Sequence, residues 1–152
     1  MKKFTRITAL VLVMIMALVC AVSCSNEQDA SGEMTIVIGG EKVTEYKVDL
    51  DKIEIKEGLI SVLDYLKSEN KLTYTANDSG YGAYLTSVGD VKEDSANSTY
   101  VYIWTSVEAD FDTSAYATTM EYNGKTLTSS GVGASSMHIE DGAVVYIGTI
   151  KY

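Results

Sequence analysis

The 152-residue sequence has no proline, two cysteines and one histidine. Both cysteines, Cys20 and Cys24, lie near the N-terminus, so the rest of the chain can form neither an internal disulfide nor a cysteine-based metal site. His138 is the only classical general base, and no motif pairs it with a nucleophilic serine. The sequence leaves paired carboxylates for glycoside cleavage open, but no cleft-building architecture is evident. We therefore expect that the protein is not an enzyme.

Basic residues are also scarce. The chain has 12 lysines and arginines against 21 aspartates and glutamates, and Lys2, Lys3 and Arg6 belong to the first few residues. The remainder carries a net charge of about −12, which repels phosphate backbones, so no nucleic-acid partner is expected. The length allows one domain and a targeting segment.

The long apolar run of the chain is N-terminal, where residues 7–19 are apolar except for Thr8. A transmembrane helix needs about 20 such residues, and this shorter run suits the core of a signal peptide behind a basic leader. A conventional secretory signal peptide and a single-span anchor are the alternatives.

Small residues precede the second cysteine in Ala21-Val-Ser-Cys24. This stretch resembles the lipobox of bacterial lipoproteins. The resemblance implies that the Cys24 thiol receives a diacylglyceryl group with palmitate-type chains, and that cleavage then leaves Cys24 as the new N-terminus. Cys20 is the rival site, but Val19 before it is bulky and β-branched. Two acyl chains give stable membrane attachment.

Three parts of the chain follow from these patterns. Residues 1–23 are predicted as a lipoprotein signal peptide, residues 24–33 as a flexible polar tether, and residues 34–152 as the folded domain. The expected location is the extracytoplasmic face of a bacterial cell membrane, where the lipid anchor holds the protein.

One amphipathic helix is predicted in the folded domain, over Gly58–Glu69. Its apolar stripe has helical spacing and consists of Leu59, Val62, Leu63 and Leu66. Burying these side chains is worth roughly 6–12 kcal/mol before opposing effects, which is comparable with the net stability of a whole domain. Another layer of structure must therefore cover the stripe.

Most of the remaining domain has the alternation and tyrosine content of β-strands. The predicted strands are residues 34–38, 43–50, 72–75, 81–88, 99–107, a hairpin over 120–127 and residues 143–150. Asn123-Gly124 is the hairpin turn, and Asn77–Gly80 is predicted as another turn. Residues 89–98 and 108–117 are predicted as acidic loops.

Two strands, a helix and three or more further strands is the order of a β-grasp domain. We therefore predict an α+β fold in which a mixed sheet wraps over one face of the single helix. Alternation sends one set of side chains towards the helix: Ile36, Ile38, Leu85, Val101, Ile103, Val145 and Ile147. The opposite set forms the predicted ligand-binding surface of aromatic rings: Tyr84, Tyr100, Tyr102, Trp104 and Tyr146. The alternative is that loops cover these rings.

Three stretches occur together in a known family: the helix entry Lys56–Leu66, the strand Gly80–Val88 and the segment Gly133–Tyr146. With the aromatic strand Tyr100–Trp104, they resemble the transcobalamin-like C-terminal domain of bacterial surface lipoproteins over about residues 34–152. The resemblance implies a β-grasp fold and a corrinoid ligand such as cobalamin, because eukaryotic relatives use this domain as a lid over cobalamin. In those carriers a helical barrel supplies the other half of the site, and this chain has no segment for one.

Two features have a metal-binding alternative. His138 would ligate cobalt in a corrinoid complex, but a lone histidine before an Asp-Gly turn is more often solvated. Glu108, Asp110 and Asp112 alternate as calcium ligands do, but the glycine and glutamate of a calcium loop are missing. No resident metal or cofactor is therefore expected.

The expected function is a lipid-anchored binding module for a corrinoid. The alternative, from a different class, is a cell-surface module that docks onto another envelope protein without any small ligand.

Overall fold

The computed structural model describes residues 30–152, so the predicted signal peptide, Cys24 and most of the tether lie outside the described residues. Strand β1 (Glu33–Gly39) already includes the last predicted tether residue. The backbone N–H of Glu33 donates to the Asp141 carboxylate at 2.9 Å. A turn then leads into β2 (Val43–Asp49), which pairs with β1 in antiparallel fashion.

Helix α1 spans Gly58–Ser68, as the apolar spacing predicted. Its stripe residues are at most 1% exposed. Gly58 begins the helix with a φ of +47°, and a Cβ there would lie 2.6 Å from the carbonyl oxygen of Met137, so both backbone conformation and space favour glycine. Within residues 30–152, no helix has the length and apolar character needed to span a membrane.

The strands within residues 30–152 form two sheets. The three-stranded antiparallel sheet contains β3 (Tyr74–Ser79), β4 (Gly82–Val88) and β5 (Val91–Lys92). The six-stranded sheet adds β6 (Thr99–Thr105), β7 (Thr119–Tyr122), β8 (Lys125–Ser129) and β9 (Val144–Lys151). Its order is β2-β1-β9-β6-β8-β7, and it is mixed because β1 and β9 are parallel while its other pairs are antiparallel.

The predicted turn at Asn77–Gly80 is wrong, because β3 continues to Ser79 and the chain reverses between Ser79 and Gly82. β3 is an edge strand whose residues after Tyr74 are all exposed, so it tolerates residues that usually favour turns. The predicted loop 89–98 contains the short strand β5. The Asn123-Gly124 hairpin is confirmed, with φ values of +47° and +77° as a primed turn requires.

The predicted inward set is confirmed. The stripe of α1 packs in one cluster with residues from both sheets: Ile36, Ile38, Leu85, Val101, Val145, Ile147 and the partly buried Ile103. A second, smaller cluster contains Val37, Trp104, Leu127 and Val144. The fold is therefore α+β, with a mixed sheet and one α-helix in the part of the chain that the structure describes.

Candidate functional site: a tyrosine-lined cleft between the two sheets

Strand β6 is fully paired along one edge and only partly paired along the other. It pairs with β9 along its whole length but with β8 only at Trp104 and Thr105. On the β8 side, Thr99 is bridged to Asp94, and the Ile103 carbonyl accepts the Ser130 N–H at 2.9 Å. Between these two points the edge of β6 is turned towards β4, which approaches it without joining its sheet.

An apolar cleft of about 270 Å³ occupies this gap between the sheets. Its apolar walls come from β4, β6 and the segment after β8: Ala83, Leu85, Val101, Ile103, Val132 and Ala134. The lining residues that carry hydroxyl groups are Ser79, Tyr81, Tyr84, Tyr102 and Ser130. The cleft therefore combines an apolar floor with a few hydrogen-bonding groups, which is the usual make-up of a small-molecule site.

Two hydrogen bonds hold the wall of the cleft that the segment after β8 forms. The Gly133 N–H donates to the Tyr81 carbonyl at 3.0 Å, and the Ala83 N–H donates to the Ser135 hydroxyl at 2.9 Å. A Cβ at Gly133 would lie 2.8 Å from the backbone of Gly82, so this close approach depends on glycine. The segment after β8 is thereby fixed against the start of β4.

A second, more open recess adjoins the cleft and shares Tyr84, Val101 and Tyr102 with it. Its remaining lining residues are Glu93, Tyr100 and Tyr152, and we call it the tyrosine recess. The ring centroids of Tyr100 and Tyr152 lie 6.1 Å apart. Burial, with the adjacent charge and hydrogen bond of the Glu93 carboxylate, raises the pKa of Tyr84 to about 12. Burial also raises the pKa of Tyr102.

The five rings predicted to share one surface are divided between two places. Tyr84, Tyr100 and Tyr102 line the cleft or the recess. Trp104 and Tyr146 instead lie with Tyr122 in what we call the closed aromatic cluster. Trp104 is only 8% exposed, and its Nε1–H donates to the Thr118 hydroxyl at 3.0 Å. The expectation of an open ring at Trp104 is therefore wrong, because the segment before β7 covers it.

Ring geometry also separates the closed aromatic cluster from a flat platform. Trp104 and Tyr146 are inclined at 76°, with centroids 6.1 Å apart, and Tyr122 is inclined at 60° to Tyr146. In such edge-to-face packing each ring directs its positive edge at the negative face of a neighbour. The rings stabilise one another and offer no common plane, so we centre the candidate site on the cleft.

One pairing was missed by sequence reasoning. Asp110 is 1% exposed, and its carboxylate accepts the His138 backbone N–H at 2.8 Å and lies 2.6 Å from His138 Nδ1. The two residues are 28 positions apart, and no motif links them. The Asp112 carboxylate instead accepts the Ser114 N–H at 2.8 Å. Across residues 30–152, no group of three or more acidic, histidine or cysteine side chains is arranged to hold a metal ion.

No family model and no curated protein matches the sequence. Solved structures do match it. A protein from Ruminococcus gnavus ATCC 29149, provisionally described as metal-binding, has 16% identity and a TM-score of 0.53 over 80% of this chain and 99% of its own. Haptocorrin in complex with Cbi has 15% identity and a TM-score of 0.56 over 88% of this chain. The chain spans 28% of haptocorrin, and at these identities the likeness concerns the fold alone.

Proposed function

We propose that the chain is a lipid-anchored, extracytoplasmic binding module of β-grasp type that takes a corrinoid at the cleft between β4 and β6 and catalyses no reaction. The carrying observation is an apolar, tyrosine-lined cleft in a domain whose fold matches part of haptocorrin, a protein solved with Cbi. Mainly apolar concave sites with a few polar groups are the usual form of a ligand site.

The size of the cleft decides how much ligand it would hold. Its volume of about 270 Å³ is just below the range of roughly 300–1,000 Å³ that pockets for drug-sized ligands occupy. A corrinoid macrocycle is larger, so the cleft would receive one edge of it, with tyrosine hydroxyls bonding its peripheral amides. A partner would cover the remaining face.

The ligand is tested by titrating the full chain, purified in detergent, with cobinamide and with cyanocobalamin while intrinsic fluorescence is followed. We expect saturable binding that weakens by about tenfold, or about 1.4 kcal/mol, in Ala83→Phe, because the larger side chain fills the cleft. Tyr116→Ala is the control, since Tyr116 is 86% exposed and outside the cleft. Unchanged fluorescence at high micromolar concentrations of both ligands would exclude a corrinoid.

The anchor is tested separately, because Ala21–Cys24 lies outside the described residues. When a bacterial host makes the full chain in the presence of labelled palmitate, we expect label on the wild type and on Cys20→Ala. We expect none on Cys24→Ala. Label that depends on Cys20 instead would move the anchor to that residue, and an unlabelled wild type would contradict lipidation.

A further inference from the structure

The tyrosine recess places one carboxylate among four aromatic rings. Its volume is about 420 Å³, and Tyr84, Tyr100, Tyr102 and Tyr152 line it together with Glu93. Tyr152 is 75% exposed and Tyr84 is 36% exposed, so the recess is open to solvent. Such a recess can admit a small group from solution without any change of fold.

Glu93 has no cationic partner in the part of the chain that the structure describes. The salt bridges there join other residues, and Arg6, the one arginine of the sequence, precedes residue 30. The cation–π pairs of this region are also elsewhere, with Lys67 over Tyr74 and Lys71 over Tyr65. A negative charge therefore lines the recess together with four tyrosines, and none of the salt bridges of residues 30–152 involves it.

The lining of the recess indicates which kind of cation fits. The Ser95 hydroxyl donates to the Glu93 carboxylate at 2.7 Å. This carboxylate supplies the negative charge of the recess, and the tyrosines supply the rings. A quaternary ammonium group needs no acceptor, and the negative faces of aromatic rings attract it.

We propose that the tyrosine recess binds the quaternary ammonium group of a small soluble molecule such as choline. The recess adjoins the cleft of the corrinoid proposal and shares three lining residues with it, but Glu93 lines the recess and not the cleft. A phosphocholine lipid fits less well, because Glu93 and the adjacent Asp94 repel its phosphate and no lysine lines the recess to bind it.

The test compares choline with its neutral isostere 3,3-dimethylbutan-1-ol, each titrated into the full chain in detergent and followed by calorimetry. We expect choline to bind and the isostere to bind about tenfold more weakly, since only the charge differs. Glu93→Gln should lower choline affinity by about fivefold while leaving that of the isostere unchanged. Glu140→Gln, at an exposed acid outside the recess, is the matched control.

Tyr152→Ala gives a second test that does not endanger folding, because this side chain is largely exposed. It should weaken choline binding by about threefold through loss of one ring. Equal binding of choline and the isostere, absence of choline binding, or an unaffected Glu93→Gln would overturn the proposal. So would binding to phosphatidylcholine vesicles without binding of free choline. Corrinoid binding is measured independently, so either proposal can fail alone.

Discussion

The closed aromatic cluster and the tyrosine recess both contain aromatic residues from neighbouring positions of β6. They differ in the strands and loops that lie beside those rings. Trp104 lies where β6 pairs with both β8 and β9, and a hydrogen bond to Thr118 completes its cover. Tyr100 lies where one edge of β6 has no paired strand, beside the exposed Tyr152. Tyr102 touches both groups, with its ring 5.1 Å from that of Trp104. Adjacent strands and loops, and not ring chemistry, therefore decide whether an aromatic residue stabilises the fold or stays available to a ligand.

Removing one ring from each group should give the largest difference in stability between the closed aromatic cluster and the tyrosine recess. Trp104→Ala should destabilise the protein by about 3–5 kcal/mol, because it empties the centre of a buried cluster. Tyr152→Ala should change the free energy of unfolding by less than about 0.5 kcal/mol, because its ring is mostly solvated. Urea denaturation followed by circular dichroism measures both. Similar losses for the two variants would show that the recess is also structural.

Alanine substitutions at two glycines, one beside the closed aromatic cluster and one near the cleft, should give a smaller difference in stability. A Cβ on Gly39 would meet the Tyr146 ring, so Gly39→Ala should push that ring out of the closed aromatic cluster at a cost of about 1–3 kcal/mol. Gly80 precedes β4 near the cleft, and a Cβ there would meet nothing within 4 Å. Gly80→Ala should therefore be neutral or stabilise by up to about 1 kcal/mol, through lower entropy of the unfolded chain. Thermal unfolding of both variants under one buffer condition tests the contrast, which disappears if the two melt alike.

The smallest expected effect is the late ionisation of Tyr84, which an alkaline titration should reveal. The pKa of Tyr84 is about 12 in the folded protein against an ordinary value of 10.0, so folding favours its neutral form. Its contribution to stability is complete below pH 10 and is lost as the pH rises through about 12. Ultraviolet difference spectra of wild type and Tyr84→Phe should isolate one late-ionising tyrosine. Glu93→Gln should lower its pKa, and an unmoved titration would mean that burial alone is responsible.

The sequence predicts much of this fold because its strongest signals are local. The spacing of Leu59, Val62, Leu63 and Leu66 suffices to locate the helix, and Asn123-Gly124 suffices to locate a hairpin. Alternation along β6 also assigns Val101 and Ile103 correctly to the helix side.

The candidate site depends on relations that no local pattern encodes. Alternation shows that Tyr84 and Trp104 point away from the helix side, but it cannot show that β4 and β6 belong to different sheets. The cover over Trp104 comes from Thr118, and the partner of His138 is Asp110; both contacts join distant positions. Glu93 was predicted only as part of an acidic loop, because its aromatic neighbours come from β4, β6 and the residue after β9.

The parallel pairing of β1 with β9 has a consequence for biosynthesis. β9 lies between β1 and β6 in the six-stranded sheet, yet almost the whole domain separates Thr35 from its neighbour Val144 along the chain. During synthesis the edge of β1 that pairs with β9 stays unpaired until β9 emerges, although α1, which packs on the apolar face of β1, follows soon after β2. Contacts of such long sequence separation slow folding, so a chain interrupted before β9 would leave that strand edge open to pairing with another chain.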